Sequence, residues 1–364
     1  MKRSTPWIHS AALDLPFVLG PPFIVLALVM LFPRWFGPAA LFSEWHWLVL
    51  VLLIDVAHVY STIYRAYLDP DTVRHYRFEL VWLPLIAFVG MVLLHTLSML
   101  WFWRCMAYLA IFHFVRQQYG FMRVYQRGEQ LPKWKHRVDA ITIYAATLVP
   151  LLHWHLDAPR AFHWFVERDM VGIELPAAAS ALLVAYAVWL MGYVASEVLM
   201  VVQGRALNIP KNLLLSGTVL SWYMGIVHYN GDITFTLFNV VCHGVPYMAL
   251  VWAFGRRKRE RPAGDRGWMA RTFFSLKAVP LYLGLLFLLA YVEEGFWNRM
   301  VWKEHAGIFA PFTWLPVVDE HAVLSLLVPL LALPQVTHYI IDAFIWRMRK
   351  DRDGWQAVVF GRSV

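Results

Sequence analysis

Ten stretches of about 20 mostly apolar residues recur along this 364-residue chain. Each is long enough to cross the ~30 Å hydrocarbon core of a bilayer as an α-helix. They lie near 13–32, 45–64, 78–98, 99–121, 138–156, 175–203, 211–228, 232–254, 273–292 and 322–346. Lipid offers backbone groups no hydrogen-bond partner, so segments of this kind are restricted to helices that satisfy their own backbones. The pattern predicts an all-α polytopic membrane protein of about ten transmembrane helices, with residues 1–364 forming a single integral helical-bundle domain. Composition agrees. The chain is 60% hydrophobic and 15% charged, against about 45–50% and 25% in soluble proteins. Two cysteines exclude a disulfide scaffold, and 16% aromatic residues exclude disorder.

The breaks between segments have sequence causes. The third and fourth are nearly continuous, which requires a tight turn at Ser98. Tyr229-Asn230-Gly231 separates the seventh from the eighth, and Asn-Gly favours a turn with positive φ. Pro16, Pro21 and Pro22 interrupt the first segment, predicting a broken helix rather than a cleavable signal peptide. Segment 293–321 is the longest connection on the non-cytoplasmic side. Its Phe296, Trp297, Trp302 and Trp314 are typical of a membrane interface.

Charge sets the orientation. With both termini placed in the cytoplasm, 26 of the 32 Lys and Arg residues fall on the inner side, as the positive-inside rule requires. The net charge of +8 is therefore topology rather than a nucleic-acid footprint, and no nucleic-acid partner is expected. The expected location is the cell membrane, the inner (cytoplasmic) membrane if the cell is bacterial. The run Arg256, Arg257, Lys258, Arg259 and Arg261 reads as a contact with lipid headgroups.

Ionisable groups inside spans are costly, and each is a functional candidate. Only Asp55, Glu197 and Asp342 among the acids, and His58, His113, His243 and His338 among the histidines, fall well inside the segments. Asp14, Glu79, Asp139 and Asp232 sit at segment ends, where water is expected. At ~1.5 Å per residue, all seven internal groups lie roughly 6–18 Å from the cytoplasmic boundary. Spacing aligns them with neighbours. Asp55, His58 and Thr62 share one helix face, as do Gln335, His338 and Asp342. His113 with Gln117, and Asn239 with His243, stand four residues apart.

Imidazole with carboxylate is a donor set for a transition metal, iron foremost. His58, His113, His243 and His338 are the expected ligands. Asp55, Glu197 and Asp342 are expected as catalytic groups or as acceptors behind the ligands, with Gln117, Asn239 and Gln335 as orienting partners. A site walled by lipid-facing helices suits an apolar, lipid- or isoprenoid-like substrate, a membrane-lipid environment and an electron donor. The expected reaction is metal-dependent oxidation. Two alternatives share these residues: a b-type haem or quinone-linked electron-transfer protein with axial histidines, and a proton- or metal-ion-coupled transporter. His-x-x-x-His and His-x-x-His-His, the spacings of membrane desaturases and hydroxylases, are absent from the 15 histidines. So are a phosphate loop, a dinucleotide-binding glycine pattern and a nucleophile elbow.

Overall fold

The computed structural model describes residues 6–262 and 267–360. Each of the ten apolar stretches is helical. We number the helices α1 (Ala11–Leu19 and Pro21–Leu31), α2 (Glu44–Arg65), α3 (Pro70–Leu97), α4 (Met99–Tyr125), α5 (Lys133–Leu156), α6 (Pro176–Val202), α7 (Ile209–Trp222), α8 (Asp232–Arg259), α9 (Leu276–Trp302) and α10 (His321–Ile345). Six of them (α2, α3, α6, α8, α9 and α10) are long and apolar enough to cross a membrane. The two halves of α1, bent by 54° at Gly20, make a seventh if they count as one span. The other three carry internal charge, such as Arg104 and Arg116 in α4, Lys135 and Asp139 in α5, and Lys211 in α7. Among the described residues there is no strand, only an isolated bridge between Asp157 and Glu174.

The surface is compatible with a membrane protein. Ile86, Val89 and Leu93 on α3 are each more than half exposed, as are Val184, Val188, Met191 and Val194 on α6. Apolar faces running the length of a helix are not stable in water, whereas lipid covers them without cost.

The helices group into two compact units. One comprises the chain up to Phe42 with Ile111–Pro246, and the other Ser43–Ala110 with the chain from Tyr247 onward. In the first unit α5 packs against α6 and α7, and α7 packs against α1. Gly217 of α7 lets Pro22 approach, since a Cβ there would stand 3.1 Å from the proline ring. The Tyr229-Asn230-Gly231 turn forms, but Gly231 is extended at φ −158°, not positive as the dipeptide suggests. Its glycine is required for space, because a Cβ would collide with the backbone of Pro38.

In the second unit α3 packs against α10, and α9 against α2. Its core gathers Leu52, Tyr64, Tyr247, Phe274, Tyr282 and Leu286. The break between α3 and α4 is the single extended residue Ser98. Beyond α10 the chain returns to a buried lock. Arg65 ends α2 fully buried, 2.7 Å from Asp353, donating to the Ile345 carbonyl at 2.8 Å, and lying over the rings of Phe254 and Trp346. Burial raises the Asp353 carboxyl, but the Arg65 guanidinium and hydrogen bonds outweigh this and hold it below the usual carboxylate range. Lys258, expected at the lipid headgroups, instead lies buried on Asp69 and Asp71. The two acids cancel its charge, so it has no call on an anionic lipid.

Two local departures follow from packing. Asp14 and Asp139, expected at wet segment ends, are fully buried. Asp14 accepts from the Ile8 and His9 amides, at 2.6 and 3.1 Å, and from Tyr125. Segment 293–302, expected as a connection, continues α9 to Trp302 and brings Glu293 and Glu294 into a helix, with Glu294 buried.

Candidate functional site

In the second unit α2 and α10 bring their polar stripes together. Trp47–Val56 of α2 is wound as a π-helix that ends one residue after Asp55, and regular α-helix resumes at Ala57. Such turns recur where a helix must re-aim a functional side chain. His58 and His338, both 1% exposed, meet edge to face with ring centroids 5.0 Å apart. They approach within 4.8 Å through ring nitrogens. Two imidazoles on one ion, each ~2.0–2.1 Å from it, stand about 3–4 Å apart, so a small closing movement is enough for both to bind one metal.

Hydrogen bonds fix the tautomers. His58 Nδ1 faces the Ile54 carbonyl at 3.3 Å. A carbonyl only accepts, so Nδ1 carries the hydrogen and Nε2 the lone pair. For His338 the assignment runs through a chain. Tyr247 gives its one hydroxyl hydrogen to Asp342 Oδ1 at 2.6 Å. Its oxygen therefore accepts from Thr62, 2.8 Å away. Thr62, with its own hydrogen committed, accepts from His338 Nδ1 at 2.7 Å. Both histidines thus carry their lone pair on Nε2, with acceptors behind Nδ1 that raise the basicity of the ring. Asp55 Oδ1 lies 3.7 Å from His58 Nδ1, and Asp342 Oδ2 lies 3.8 Å from His338 Nδ1. Both acids therefore stand behind the histidines. Gln335 hydrogen-bonds Tyr339.

In the first unit His113 of α4 and His243 of α8 repeat the arrangement. Both are buried, edge to face at 5.0 Å. His243 also stacks on Phe114 at 3.5 Å, and Gln117 donates to the His243 carbonyl at 3.0 Å. Asn239 donates to the Phe235 carbonyl at 2.8 Å. It lies in a second π-helical turn, Leu237–Val241, directly before Cys242 and His243.

Glu197 belongs elsewhere in the first unit. It lies 2.5 Å from Lys135 and 2.8 Å from Lys211, and accepts from Asn212 at 2.9 Å. Lys211 also reaches Asp139 at 3.3 Å and Glu129 at 3.6 Å, and Gln126 donates to Asp139 at 2.6 Å. Burial pushes the Glu129 carboxyl up against the pull of Lys211. This is a five-charge network of acids and lysines, with no imidazole among the partners of Glu197 within the described residues.

Residue-type reasoning missed Tyr247 and the pair Glu293 and Glu294. Tyr247 is one aromatic among many, and its only signal is its place four residues after His243. Glu293, which accepts hydrogen bonds from Tyr60 and Trp297, was hidden by the segment boundary.

Comparison of the sequence with protein families and curated proteins, and of the fold with solved structures, returned no match.

Proposed function

We propose that the protein is an integral membrane metalloenzyme, a metal-dependent oxidoreductase acting on an apolar, lipid- or isoprenoid-like substrate. His58 and His338 are the proposed metal ligands in the second unit, and His113 and His243 in the first. The observation that carries this reading is the tautomer chain. Asp342, Tyr247, Thr62 and His338 form a directed relay of hydrogen bonds that sets His338 Nε2 as a lone-pair donor beside His58 Nε2. Such a relay holds the tautomer and ring orientation that a metal-binding histidine requires. Nitrogen donors backed by carboxylates suit iron. Redox chemistry fits a buried site approached through lipid-exposed apolar helices. Asp55 and Asp342 tune the ligands and hold protons; an electron donor and O₂ complete the reaction.

The ten-helix topology belongs to the same proposal. All ten helices cross the membrane, both termini face the cytoplasm, and the histidines lie in the cytoplasmic half. The charged helices α5 and α7 are tolerated because their ionic groups pair inside the protein. Lys135, Asp139 and Lys211 do so.

The test is a metal assay and visible spectrum of protein purified in detergent. Near-stoichiometric iron with no Soret band is expected, and His338→Ala should remove it without preventing membrane insertion. Parallel His113→Ala and His243→Ala variants identify which pair holds metal. A Soret band would replace iron alone by haem. Metal-free protein, or metal content unchanged in all three variants, would overturn the proposal.

A further inference from the structure

The first unit carries a basic patch that its acids do not neutralise. Lys135 and Lys211 are met by Asp139 and Glu197. Arg116 is not: its side chain is exposed, and among the described residues no carboxylate pairs with it. At ~1.5 Å per residue it stands ~14 Å along the axis from Tyr125, the last residue of α4. A long cation at such a depth ordinarily snorkels toward water. Arg116 is instead held across to α5. It donates to the Tyr144 hydroxyl at 2.5 Å, its guanidinium carbon lies 5.1 Å from the centroid of the Tyr119 ring, and the two tyrosine rings stack at 5.1 Å.

The patch offers donors without acceptors. A guanidinium has five N–H groups, and Arg116 uses one of them on Tyr144. Tyr144 accepts there, so its own hydroxyl hydrogen is still to be given, and the Tyr119 hydroxyl has no partner among the described residues. Gly120, one turn beyond Arg116, keeps the adjoining surface clear, with nothing within 4 Å of the place a Cβ would take. The two directions along the helices differ. Away from the connection between α4 and α5, Phe112 and Leu148 are 59% and 40% exposed. Toward it, Arg123 lies two turns from Arg116 on one face of α4, and Arg137 two turns from Tyr144 on one face of α5. Arg137 is exposed. Arg123 is half-buried and donates to the neutral Gln126 amide oxygen at 3.0 Å. Neither pairs with a carboxylate among the described residues.

We infer that this patch binds an anionic phospholipid, with its phosphate on Arg116, Tyr119 and Tyr144, its acyl chains over Phe112 and Leu148, and its headgroup toward Arg123 and Arg137. A guanidinium fork matches the oxygens of a phosphate, and charge-assisted hydrogen bonds are the strong ones. Basic sites between membrane helices on the cytoplasmic side are where anionic headgroups bind. The order of groups along the two helices, apolar then singly cationic then doubly cationic, is the order of parts in such a lipid. Arg123 and Arg137 repel the ammonium of a choline or ethanolamine headgroup, so a headgroup of net negative charge is selected. The bound lipid supplies the counter-charge that Arg116 lacks within its helix. The inference rests on α4 and α5 crossing the membrane, as in the proposed topology, and not on the metal.

The experiment is native mass spectrometry of the full chain in detergent, titrated with phosphatidylglycerol, phosphatidylcholine or inorganic phosphate. Phosphatidylglycerol should bind saturably and more tightly than the other two. Arg116→Gln should weaken it by about tenfold or more, and Tyr144→Phe, which keeps the ring and its stack, by about three- to tenfold. Tyr144→Phe carries the test alone should Arg116→Gln not fold. Phosphatidylcholine or inorganic phosphate binding as tightly as phosphatidylglycerol would overturn the inference, as would an affinity unchanged in both variants. Impermeant-maleimide labelling of intact cells, with Gln130→Cys or Glu167→Cys placed in a cysteine-free background, tests the topology separately. Labelling at 167 alone is expected. Labelling of both positions, or of neither, would overturn the crossing of α5 and this inference with it. Labelling at 167 alone without preference for phosphatidylglycerol would overturn this inference only.

Discussion

Thr62→Val tests the tautomer chain directly. Valine matches threonine in shape and removes only the hydroxyl, which touches His338 Nδ1 at 2.7 Å and Tyr247 at 2.8 Å. Thr62 is 3% exposed and its partners are equally enclosed, so no water replaces it. Tyr247 keeps its 2.6 Å bond to Asp342, so its loss is partial. His338 Nδ1–H loses the Thr62 oxygen, and Asp342 Oδ2 is 3.8 Å away. Leaving one buried donor unsatisfied costs about 1–3 kcal/mol. Loss of the partner behind a metal-bound histidine lowers metal affinity by about 10–100-fold. The assay is chelator competition on purified protein, with thermal unfolding of the metal-free form measured in parallel. Metal affinity should fall by about 10–100-fold, whereas His338→Ala should abolish binding altogether. Unchanged affinity with only a fall in apo stability would show that the chain holds the helices and has no part in binding metal.

Three further outcomes follow from the same geometry. Lys211→Met strips three carboxylates of a shared counter-ion and should cost about 3–5 kcal/mol in denaturant or thermal unfolding, with Glu197→Gln restoring part of it; additive effects of the two changes would refute the network. Asp353 has a folded pKa held below the ordinary value by Arg65, so its stabilisation is fully present above about pH 4, its unfolded value, and is lost as pH falls through the lower folded value. Limited proteolysis should therefore show the segment after α10 protected to mildly acidic pH and released below that, and Asp353→Asn should release it at neutral pH. Gly231→Ala should destabilise the first unit by about 1–3 kcal/mol through overpacking, read as a lowered Tm, because the new Cβ meets the rigid Pro38 backbone.

Much of this fold is legible in the sequence because a membrane imposes a one-dimensional rule. Twenty apolar residues must be a helix wherever they fall, so the positions of the ten helices, the break at Pro21–Pro22 and the turn at Ser98 follow from local chemistry. The helical spacing of Asp55 with His58, and of His338 with Asp342, likewise fixed which residues share a face. What spacing does not carry is partner choice. Glu197 has the same credentials as Asp342, a lone acid in an apolar helix. Lys135 and Lys211 claim it, and they come from helices whose charges disguise them in a hydropathy reading. Tyr247 acquires its role from a threonine 185 residues away in the chain. Hydrogen-bond direction, and with it the tautomer of His338, exists only once four side chains from three helices meet. The apolar, span-length helices and the rarity of polar groups within them are legible in the amino-acid order, because both depend on transfer energies of single residues. Which buried groups neutralise one another and which hydrogen-bond in chains emerges only in the folded molecule, because that depends on distances of a few ångströms between residues far apart in the chain.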